Sequence, residues 1–292
     1  MIGRRQFAAL LPVGAALLLR PGYAAASGPL ALPADRLAAI EARTGGRLGV
    51  AVIDTANDAR AGYRADERFP MCSTFKVLAS AAVLSRVDAG KETLDRRIRY
   101  DKADLVTYSP ATEKHVSDGM TLAELCAAAI TLSDNTAGNL LLANIGGPEG
   151  LTAYARLIGD PVSRLDRIET ALNEAAPGDP HDTTTPAAMA ANLRRLVLGD
   201  ALSAASRKQL TDWLLANTTG DTRLRAGLPG WRVGDKTGTG ENGTYNDVGI
   251  AWPTGRPPVI IAVYLTTAKA PLADSNAAIA EVARVVAGTL GG

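Results

Sequence analysis

The chain has 292 residues, of which 47% are hydrophobic and 21% are charged, a balance typical of a globular enzyme with a large buried core. Lysine and arginine number 31 against 30 acidic residues, so the net charge of +1 gives no support to nucleic acid or an anionic membrane as a partner. Two cysteines and two histidines exclude a disulfide-stapled fold and provide no ligand cluster for zinc. The composition therefore predicts no metal, and nothing in it calls for another cofactor.

Residues 1–26 differ in character from the rest of the chain. Arg4 and Arg5 precede an apolar run over 7–19, and the small residues 24–26 follow it. This order is that of an export signal with its cleavage region, and the apolar run is too short for a membrane span. We expect an exported protein, periplasmic or secreted, that keeps no membrane anchor after cleavage. The paired arginines resemble a twin-arginine signal, so that route and the ordinary secretory route both stay open.

Hydrophobic periodicity predicts the remaining elements in chain order. A helix ends near Arg43, and strands follow over 48–54 and 61–64. Helices are predicted over 73–88, 121–131, 135–145, 151–158, 186–198 and 203–218. Strands over 231–236, 247–253 and 258–267 precede a closing helix over 277–289. Between the helices, the span 164–185 has little regular periodicity, and a structureless segment of this length in a compact domain is usually functional.

The two β-rich ends flank a helical middle, which predicts an α/β fold of the α+β type. In this fold an antiparallel sheet, flanked by helices, is formed from both termini, and an all-α domain is inserted between them. We expect the α/β domain to comprise 27–68 and 214–292. The all-α domain then comprises 69–213 and carries the long irregular loop over 164–182.

Ser73 and Lys76 begin a predicted helix and lie three residues apart on one face. A serine hydroxyl needs a nearby base to attack a carbonyl group, and a neutral lysine amine one turn away can supply it when burial lowers its pKa. The helix start adds positive potential that favours the developing alkoxide. Taken alone, such a pair is more often a surface serine and lysine on an amphipathic helix.

Ser133, Asp134 and Asn135 lie in the tight loop between two predicted helices. As a catalytic element, this loop offers the Ser133 hydroxyl to relay a proton to a leaving nitrogen and the Asn135 amide to orient a substrate amide. The alternative is that the aspartate and the asparagine cap the following helix, which these residue types favour.

Glu169 and Asn173 lie four residues apart in the irregular segment. A carboxylate and an amide at this spacing can hold one water molecule between them, with Glu169 as its general base. A solvated glutamate on a loop is the alternative. Without the other clusters, it is the more common situation.

The run Lys236-Thr237-Gly238-Thr239-Gly240 follows an apolar strand. Glycines on an edge strand permit a ligand to approach the backbone closely, and a lysine with threonine hydroxyls suits a carboxylate. A flexible turn is the alternative for this run alone. Four such clusters in one chain, each in a suitable predicted context, are together improbable as coincidence and predict serine acyl transfer.

With these motifs the chain resembles the class A serine β-lactamases from about Leu37 to its C-terminus. Further segments carry the resemblance, namely 108–115, 164–173, 182–186, and 217–220 followed by Arg223. The resemblance implies a two-domain fold and hydrolysis of the β-lactam amide of penicillins and cephalosporins, hence resistance to these antibiotics. It also implies a monomer whose partner is a small-molecule substrate.

The resemblance implies a role for each matching residue. Ser73 attacks the lactam carbonyl, Ser133 passes a proton to the lactam nitrogen, and either Lys76 or Glu169 is the base in acylation. Glu169 and Asn173 position the water that hydrolyses the acyl-enzyme. The remaining contacts fall to Lys236, Thr237, Gly238 and Thr239 with Arg223 at the substrate carboxylate, Asn135 at the side-chain amide, and Tyr108 at the entrance. The backbone N–H groups of Ser73 and Thr239 form the oxyanion hole, and Arg167 pairs with Asp182 across the neck of the loop.

The chain departs from the family pattern at several positions. A frequent family disulfide places a cysteine at Ser80 opposite Cys126, and another variant links the positions of Cys72 and Gly240, so neither bond can form here. We expect both thiols to be free and buried. Thr170 follows Glu169 where proline is common, and the sequence leaves open whether the bond between them is cis.

Two other functions share part of the motif set. A penicillin-binding D,D-peptidase has the three serine-enzyme motifs but lacks the element formed by Glu169 and Asn173. A β-lactam sensor acylates in the same way and stays acylated. In both comparisons Glu169 is the residue that distinguishes a hydrolase.

Overall fold

The computed structural model describes residues 30–291 of the chain. The predicted export signal over 1–26 lies outside the described residues. Within them, no helix is long and apolar enough to cross a membrane.

One antiparallel sheet with strand order β2-β1-β9-β8-β7 forms the centre of the α/β layer. Its strands come from both ends of the described chain, because β1 pairs with β9 from Arg47↔Thr266 to Asp54↔Val259. The predicted fold class is therefore confirmed. The sheet strands are β1 (Arg47–Asp54), β2 (Ala59–Tyr63), β7 (Arg232–Gly240), β8 (Thr244–Trp252) and β9 (Val259–Thr266), and short pairs are formed by β3 (Phe69–Pro70) with β6 (Thr183–Thr184) and by β4 (Arg97–Ile98) with β5 (Met120–Thr121).

Helices cover the sheet and form the middle of the chain. They are α1 (Ala34–Thr44), α2 (Phe75–Asp88), α3 (Leu122–Thr131), α4 (Asn135–Ile145), α5 (Gly147–Leu157), α6 (Pro186–Val197), α7 (Ala204–Leu215), α8 (Leu224–Gly227) and α9 (Leu272–Thr289). Most of the predicted helices agree within a few residues. The short helix α8 was not predicted, and α5 begins directly after the left-handed Gly146 with Pro148 in its first turn, where proline is tolerated.

Two apolar cores lie on opposite faces of the sheet. The larger core joins the inner face to the helical region through buried side chains such as Phe69, Phe75 and Tyr264. The smaller core packs α1 and α9 against the outer face through Leu37, Ile40 and neighbouring side chains. Because apolar burial is the main stabilising term, the helical region is anchored to the sheet through the same core that surrounds α2. The division of the chain at 68/69 and 213/214 stays a prediction.

The edge strand β7 is longer than its sequence predicts. The prediction ends at Lys236, whereas the ladder with β8 continues to Gly240↔Thr244. The backbone bonds of β8 hold this polar, glycine-containing segment in the sheet although its own side chains have little strand preference. Lys236 and the four residues that follow it therefore stand on a regular strand.

Cys72 and Cys126 are both free and both buried, as expected. Burial raises the pKa of each thiol, because the charged thiolate is poorly solvated in an apolar interior. Both side chains are therefore inert, small apolar residues at neutral pH.

Candidate active site

Ser73 lies in a single 3-10 turn, Cys72–Thr74, directly before α2, and not within the α-helix that was predicted to begin there. The backbone before it is in the left-handed region at Cys72, with φ of 44°. The turn is fixed to the sheet because Asn246 on β8 donates to the carbonyl oxygens of Pro70 at 2.9 Å and Met71 at 3.2 Å. Strands far away in the sequence thus set the position of the Ser73 side chain.

Gly238 shows how closely the edge strand approaches this turn. A Cβ atom at that position would lie 2.9 Å from the carbonyl oxygen of Met71 and 3.2 Å from Nδ2 of Asn246. A side chain at position 238 would therefore push β7 away from the turn that carries Ser73. Glycine is needed here for the close approach of the turn at Met71, whereas the sequence suggested the approach of a ligand, which stays a prediction.

Lys76 is fully buried, and its Nζ is surrounded by four oxygen atoms. Three belong to side chains, namely Ser73 Oγ at 2.9 Å, Asn135 Oδ1 at 2.7 Å and Glu169 Oε1 at 3.0 Å, and the fourth is the carbonyl of Ser133 at 2.8 Å. Burial lowers the pKa of Lys76, and the charge of Glu169 opposes that shift. A lowered pKa makes the neutral amine more accessible as a base.

Glu169 is buried and contacts both Ser73 and Lys76. Its Oε1 accepts from the Ser73 hydroxyl at 3.2 Å, and its Oε2 accepts from Nδ2 of Asn173. Asn139 holds the Glu169 main chain from α4, accepting from its N–H at 2.8 Å and donating to its carbonyl at 2.9 Å. The bond between Glu169 and Thr170 is cis.

The loop over 164–182 is held by one arginine and three carboxylates. Arg167 Nε donates to Asp182 at 2.6 Å, its Nη2 donates to Asp179 at 2.9 Å, and its Nη1 donates to Glu174. The second oxygen of Asp182 accepts from the backbone N–H groups of Asp166 and Arg167. Because Asp182 is fully buried, these bonds compensate for the cost of removing its charge from water.

Ser133 bridges the two buried lysines. Lys236 Nζ donates to the Ser133 hydroxyl oxygen at 2.9 Å and to the carbonyl of Thr237 at 2.7 Å, while the Ser133 carbonyl accepts from Lys76. Burial lowers the pKa of Lys236 well below its usual value, and the positive charge of Lys76 acts in the same direction. Since Lys236 donates to Ser133, the Ser133 hydroxyl hydrogen is free to be donated elsewhere.

The sequence left open whether the two residues after Ser133 cap a helix or serve the site, and the structure distinguishes them. Asp134 caps α4, because its side chain accepts from the N–H of Ala137 at 2.8 Å. Asn135 is not a cap: its Oδ1 accepts from Lys76, and its Nδ2 donates to the carbonyl of Thr107 at 2.9 Å. The capping alternative therefore applies to Asp134 and not to Asn135, whose contact with a substrate amide stays a prediction.

Arg223 joins the far end of β7 to α9. It is 5% exposed, and its Nη1 donates to the carbonyl oxygens of Gly238 and Asn246. Its Nη2 donates to Thr239 Oγ1 at 2.8 Å, and its Nε donates to Asn276 Oδ1 at 2.8 Å. The guanidinium therefore adds positive charge beside the threonine hydroxyls of the edge strand.

Tyr108, like Thr239, is an exposed member of the predicted site, and 58% of its surface is accessible. Its backbone is in the left-handed region, with φ of 66°, and its carbonyl accepts from the N–H of Asn135 at 3.0 Å. The structure thus ties its main chain to the site and leaves its ring in solvent.

Several contacting residues escaped the sequence analysis. Asn139 lies one helical turn after Asn135, so their shared face was a usable signal. Gly138 gives Lys76 its space, because a Cβ there would lie 2.8 Å from Lys76 Cε. Thr219 lies in the segment 217–220 that carries the resemblance, but no role was assigned to it, and Asn276 had no local signal because it reaches the site through a tertiary contact.

Comparison with known proteins gives consistent results. A family model described as the beta-lactamase enzyme family matches residues 32–290. Beta-lactamase CTX-M-8 of Citrobacter amalonaticus is 53% identical over 86% of this chain and 87% of its own length. Beta-lactamase FAR-1 of Nocardia farcinica is 57% identical over 85% of this chain and 80% of its own length.

Solved structures show the same similarity. An ancestral class A β-lactamase named GNCA has a TM-score of 0.86 and 68% identity over 87% of this chain and 98% of its own. A putative class A β-lactamase, PenP of Rhodopseudomonas palustris, has a TM-score of 0.86 and 66% identity, with 87% and 98% covered.

The site brings together a buried serine, two buried lysines and a buried carboxylate. This arrangement is typical of an enzyme with a serine nucleophile. The matches then define the family, since they extend over most of the chain at more than half identity. The chain belongs to the class A serine β-lactamases.

Proposed function

We propose that the protein hydrolyses the β-lactam amide bond of penicillins and cephalosporins, and so confers resistance, through an acyl-enzyme on Ser73 that a Glu169-activated water removes. The observation that carries this proposal is the contact set of Glu169. One carboxylate oxygen faces the Ser73 hydroxyl at 3.2 Å, and the other accepts from Asn173. A carboxylate beside the nucleophile and an amide that orients it provide what the hydrolysis of an ester needs.

In acylation, the Ser73 oxygen forms a bond to the lactam carbonyl carbon and gives up its proton to a base. Lys76 at 2.9 Å and Glu169 at 3.2 Å are both within reach of that hydroxyl, so both remain candidates for the base. The carbon–nitrogen bond then breaks, and Ser133 donates its free hydrogen to the lactam nitrogen. Lys236 can replenish that proton because it donates to the Ser133 oxygen.

In deacylation, a water between Glu169 and Asn173 attacks the ester carbonyl while Glu169 takes its proton. The bond from the carbonyl carbon to the Ser73 oxygen then breaks, Glu169 returns the proton to that oxygen across 3.2 Å, and the product acid is released. In both steps, the backbone N–H groups of Ser73 and Thr239 stabilise the oxyanion.

Substrate binding uses the edge strand and its neighbours. Lys236, Thr237, Gly238 and Thr239 face the substrate carboxylate, and Arg223 contributes charge behind Thr239. Asn135 binds the side-chain amide, and the exposed ring of Tyr108 lines the entrance. Arg167 and Asp182 keep the loop closed around Glu169. The protein acts as an exported monomer, periplasmic or secreted, and needs no metal or other cofactor.

Turnover of a chromogenic cephalosporin by the protein without residues 1–26 tests the proposal. We expect many turnovers per molecule, unaffected by EDTA. A single stoichiometric burst would instead indicate a sensor or a D,D-peptidase, and inhibition by EDTA would contradict the metal-free mechanism.

Two variants test the assigned roles. Glu169→Ala is expected to slow deacylation roughly a thousandfold, so that the acyl-enzyme accumulates and is seen by intact mass. Ser73→Ala is expected to abolish covalent labelling by a penicillin. Normal turnover in the first variant, or labelling in the second, would assign these steps to other residues.

A further inference from the structure

A partly buried series of hydrogen bonds begins at the ion pair between Arg225 and Asp235, next to the edge strand. Arg225 Nη2 lies 2.6 Å from Asp235 Oδ1, and Asn217 Nδ2 donates to the same oxygen at 3.1 Å. Asp235 and Asn217 are both buried. Because the Asp235 carboxylate can only accept hydrogen bonds, the donor and acceptor roles at this end of the hydrogen-bond series are fixed.

The orientation of the Asn217 carboxamide is fixed from two sides. Its Nδ2 faces the Asp235 carboxylate, and its Oδ1 accepts from the backbone N–H of Thr219 at 3.1 Å. A backbone N–H is always a donor, so exchanging the amide oxygen and nitrogen would break both bonds. The atom of Asn217 that faces Thr219 is therefore an acceptor.

The direction of the next two bonds follows from this acceptor. The Thr219 hydroxyl lies 2.8 Å from Asn217 Oδ1 and must donate to it, because the reverse would place two oxygen lone pairs against each other. The Thr219 oxygen lies 2.6 Å from the Thr237 hydroxyl. Its own hydrogen is already used, so Thr237 donates to Thr219.

Thr239, two residues along the same strand, has the opposite polarity. Its oxygen accepts from Arg223 Nη2 at 2.8 Å. Because an arginine can only donate, the Thr239 hydroxyl hydrogen is left free. The two threonines of the edge strand therefore differ. Thr239 can offer a hydroxyl hydrogen, whereas Thr237 can offer only an oxygen lone pair.

We propose that Thr219 is a positioning residue that withholds the Thr237 hydroxyl hydrogen from the substrate carboxylate. In the free enzyme, Thr239 is then the hydroxyl donor of the anion site, and Thr237 becomes a donor only by giving up its bond to Thr219. This inference rests on the proposed function, since it concerns the carboxylate of a β-lactam. It makes Thr219 a determinant of how strongly the site favours anionic substrates.

Thr219→Val tests the proposal, because valine has nearly the shape of threonine and no hydroxyl. Thr237 can then donate to the carboxylate without losing another bond. We expect kcat/KM for benzylpenicillin to rise about two- to tenfold, the usual effect of one net hydrogen bond. For the methyl ester of benzylpenicillin, which lacks the charge, kcat/KM should stay unchanged. Thr219→Ser keeps the hydroxyl and should restore the wild-type values.

A second substitution measures the coupling directly. Thr237→Val should lower kcat/KM for benzylpenicillin only slightly in the wild-type background, and it should cancel the gain in the Thr219→Val background. Thr239→Val should cost more than Thr237→Val in the wild type. If Thr219→Val does not fold, as judged by its melting temperature, this comparison of Thr237→Val with Thr239→Val decides the question alone.

The outcomes separate this inference from the proposed function. No turnover of benzylpenicillin by the wild type would overturn the proposed function. With normal wild-type turnover, an unchanged or lower kcat/KM in folded Thr219→Val, or equal changes for acid and ester, would overturn only the role of Thr219. A cost of Thr237→Val as large as that of Thr239→Val would overturn it as well.

Discussion

Along β7, each residue from Arg232 to Gly240 is paired with a residue of β8, so main-chain hydrogen bonds set the position of Lys236. In the loop over 164–182, the backbone is irregular: the Asn139 side chain holds the main chain of Glu169, and Arg167 pairs with Asp182 across the loop. A ladder of main-chain bonds tolerates most side-chain changes, whereas a loop built on particular side chains does not. In the proposed mechanism, the substrate-binding groups of β7 and the carboxylate that serves deacylation are therefore held by different kinds of contact, and we expect single substitutions to separate them.

Arg167→Ala should produce the largest difference between its effects on the rates of acylation and deacylation. It removes a partner of buried Asp182 and of two further carboxylates, leaving a buried charge less well compensated. We expect deacylation to slow by about tenfold or more, because small displacements of a catalytic group are costly. Pre-steady-state mass spectrometry should then show acyl-enzyme with a nearly normal rate of formation.

Arg164→Ala is the matched control for this substitution. Arg164 lies in the same loop, but its side chain pairs only with Asp166, two residues away. Exposed pairs of this kind contribute little, so the variant should keep its deacylation rate within a few-fold. Equal effects in the two arginine variants would mean that the loop responds to net charge and not to the contacts of Arg167.

Gly138→Ala should slow acylation, the other step of the proposed mechanism. The new Cβ would lie 2.8 Å from Lys76 Cε and 3.3 Å from the Phe75 ring, so the lysine must shift away from Ser73. We expect acylation to slow about tenfold while deacylation changes less. Stopped-flow measurement of both rates checks this.

Gly288→Ala is the control for Gly138→Ala, because a Cβ at that position meets nothing within 4 Å. It should leave both rates unchanged and stabilise α9 slightly, since alanine is the better helix former. If Gly138→Ala slowed deacylation more than acylation, Lys76 would be excluded as the acylation base.

A smaller effect is expected on the pH dependence of the protein's stability, through two aspartates on β7 and β8. Asp235 and Asp247 are both buried, and each has one carboxylate oxygen without a hydrogen-bond partner. Burial raises the pKa of Asp247 well above its usual value, and the negative charge of Asp235 adds to that shift. When the pKa of a carboxyl group is higher in the folded than in the unfolded state, the group contributes fully to the stability of the folded protein below about pH 4. This stability is lost as the pH rises toward the folded-state pKa.

Asp247→Asn mimics the protonated acid and removes this titration. The melting temperature of the variant minus that of the wild type should therefore grow as the pH rises from 4 to 9. A constant difference across this range would show that Asp247 does not titrate differently in the folded and unfolded states.

Much of the architecture could be predicted, because strands such as β1 and β9 are continuous apolar runs and α6 has a clear apolar periodicity. The site residues of the motifs could also be singled out, since each motif is local in sequence. The end of β7 could not, because its last residues are held in the sheet by β8 and not by their own preferences.

The contacts that orient the motif residues were equally beyond local patterns. Thr219, Asn217 and Asn276 act through partners that only the folded chain brings near. The direction of the Thr237 hydroxyl depends on an ion pair between Arg225 and Asp235, three hydrogen bonds away. Sequence periodicity carries no information on the direction of such bonds.

The pairing of β1 with β9 has a consequence for how the protein is made. The first strand of the sheet lies beside the last, so the sheet cannot close until nearly the whole chain has left the ribosome. Bringing such distant segments together carries a large loop-closure cost, which slows folding. Asn246, which positions the turn of Ser73, lies on β8, and β8 is joined to β1 only through β9, so this turn is also not fixed until then. A nascent chain interrupted before residue 259 would therefore contain every motif and yet have no assembled site.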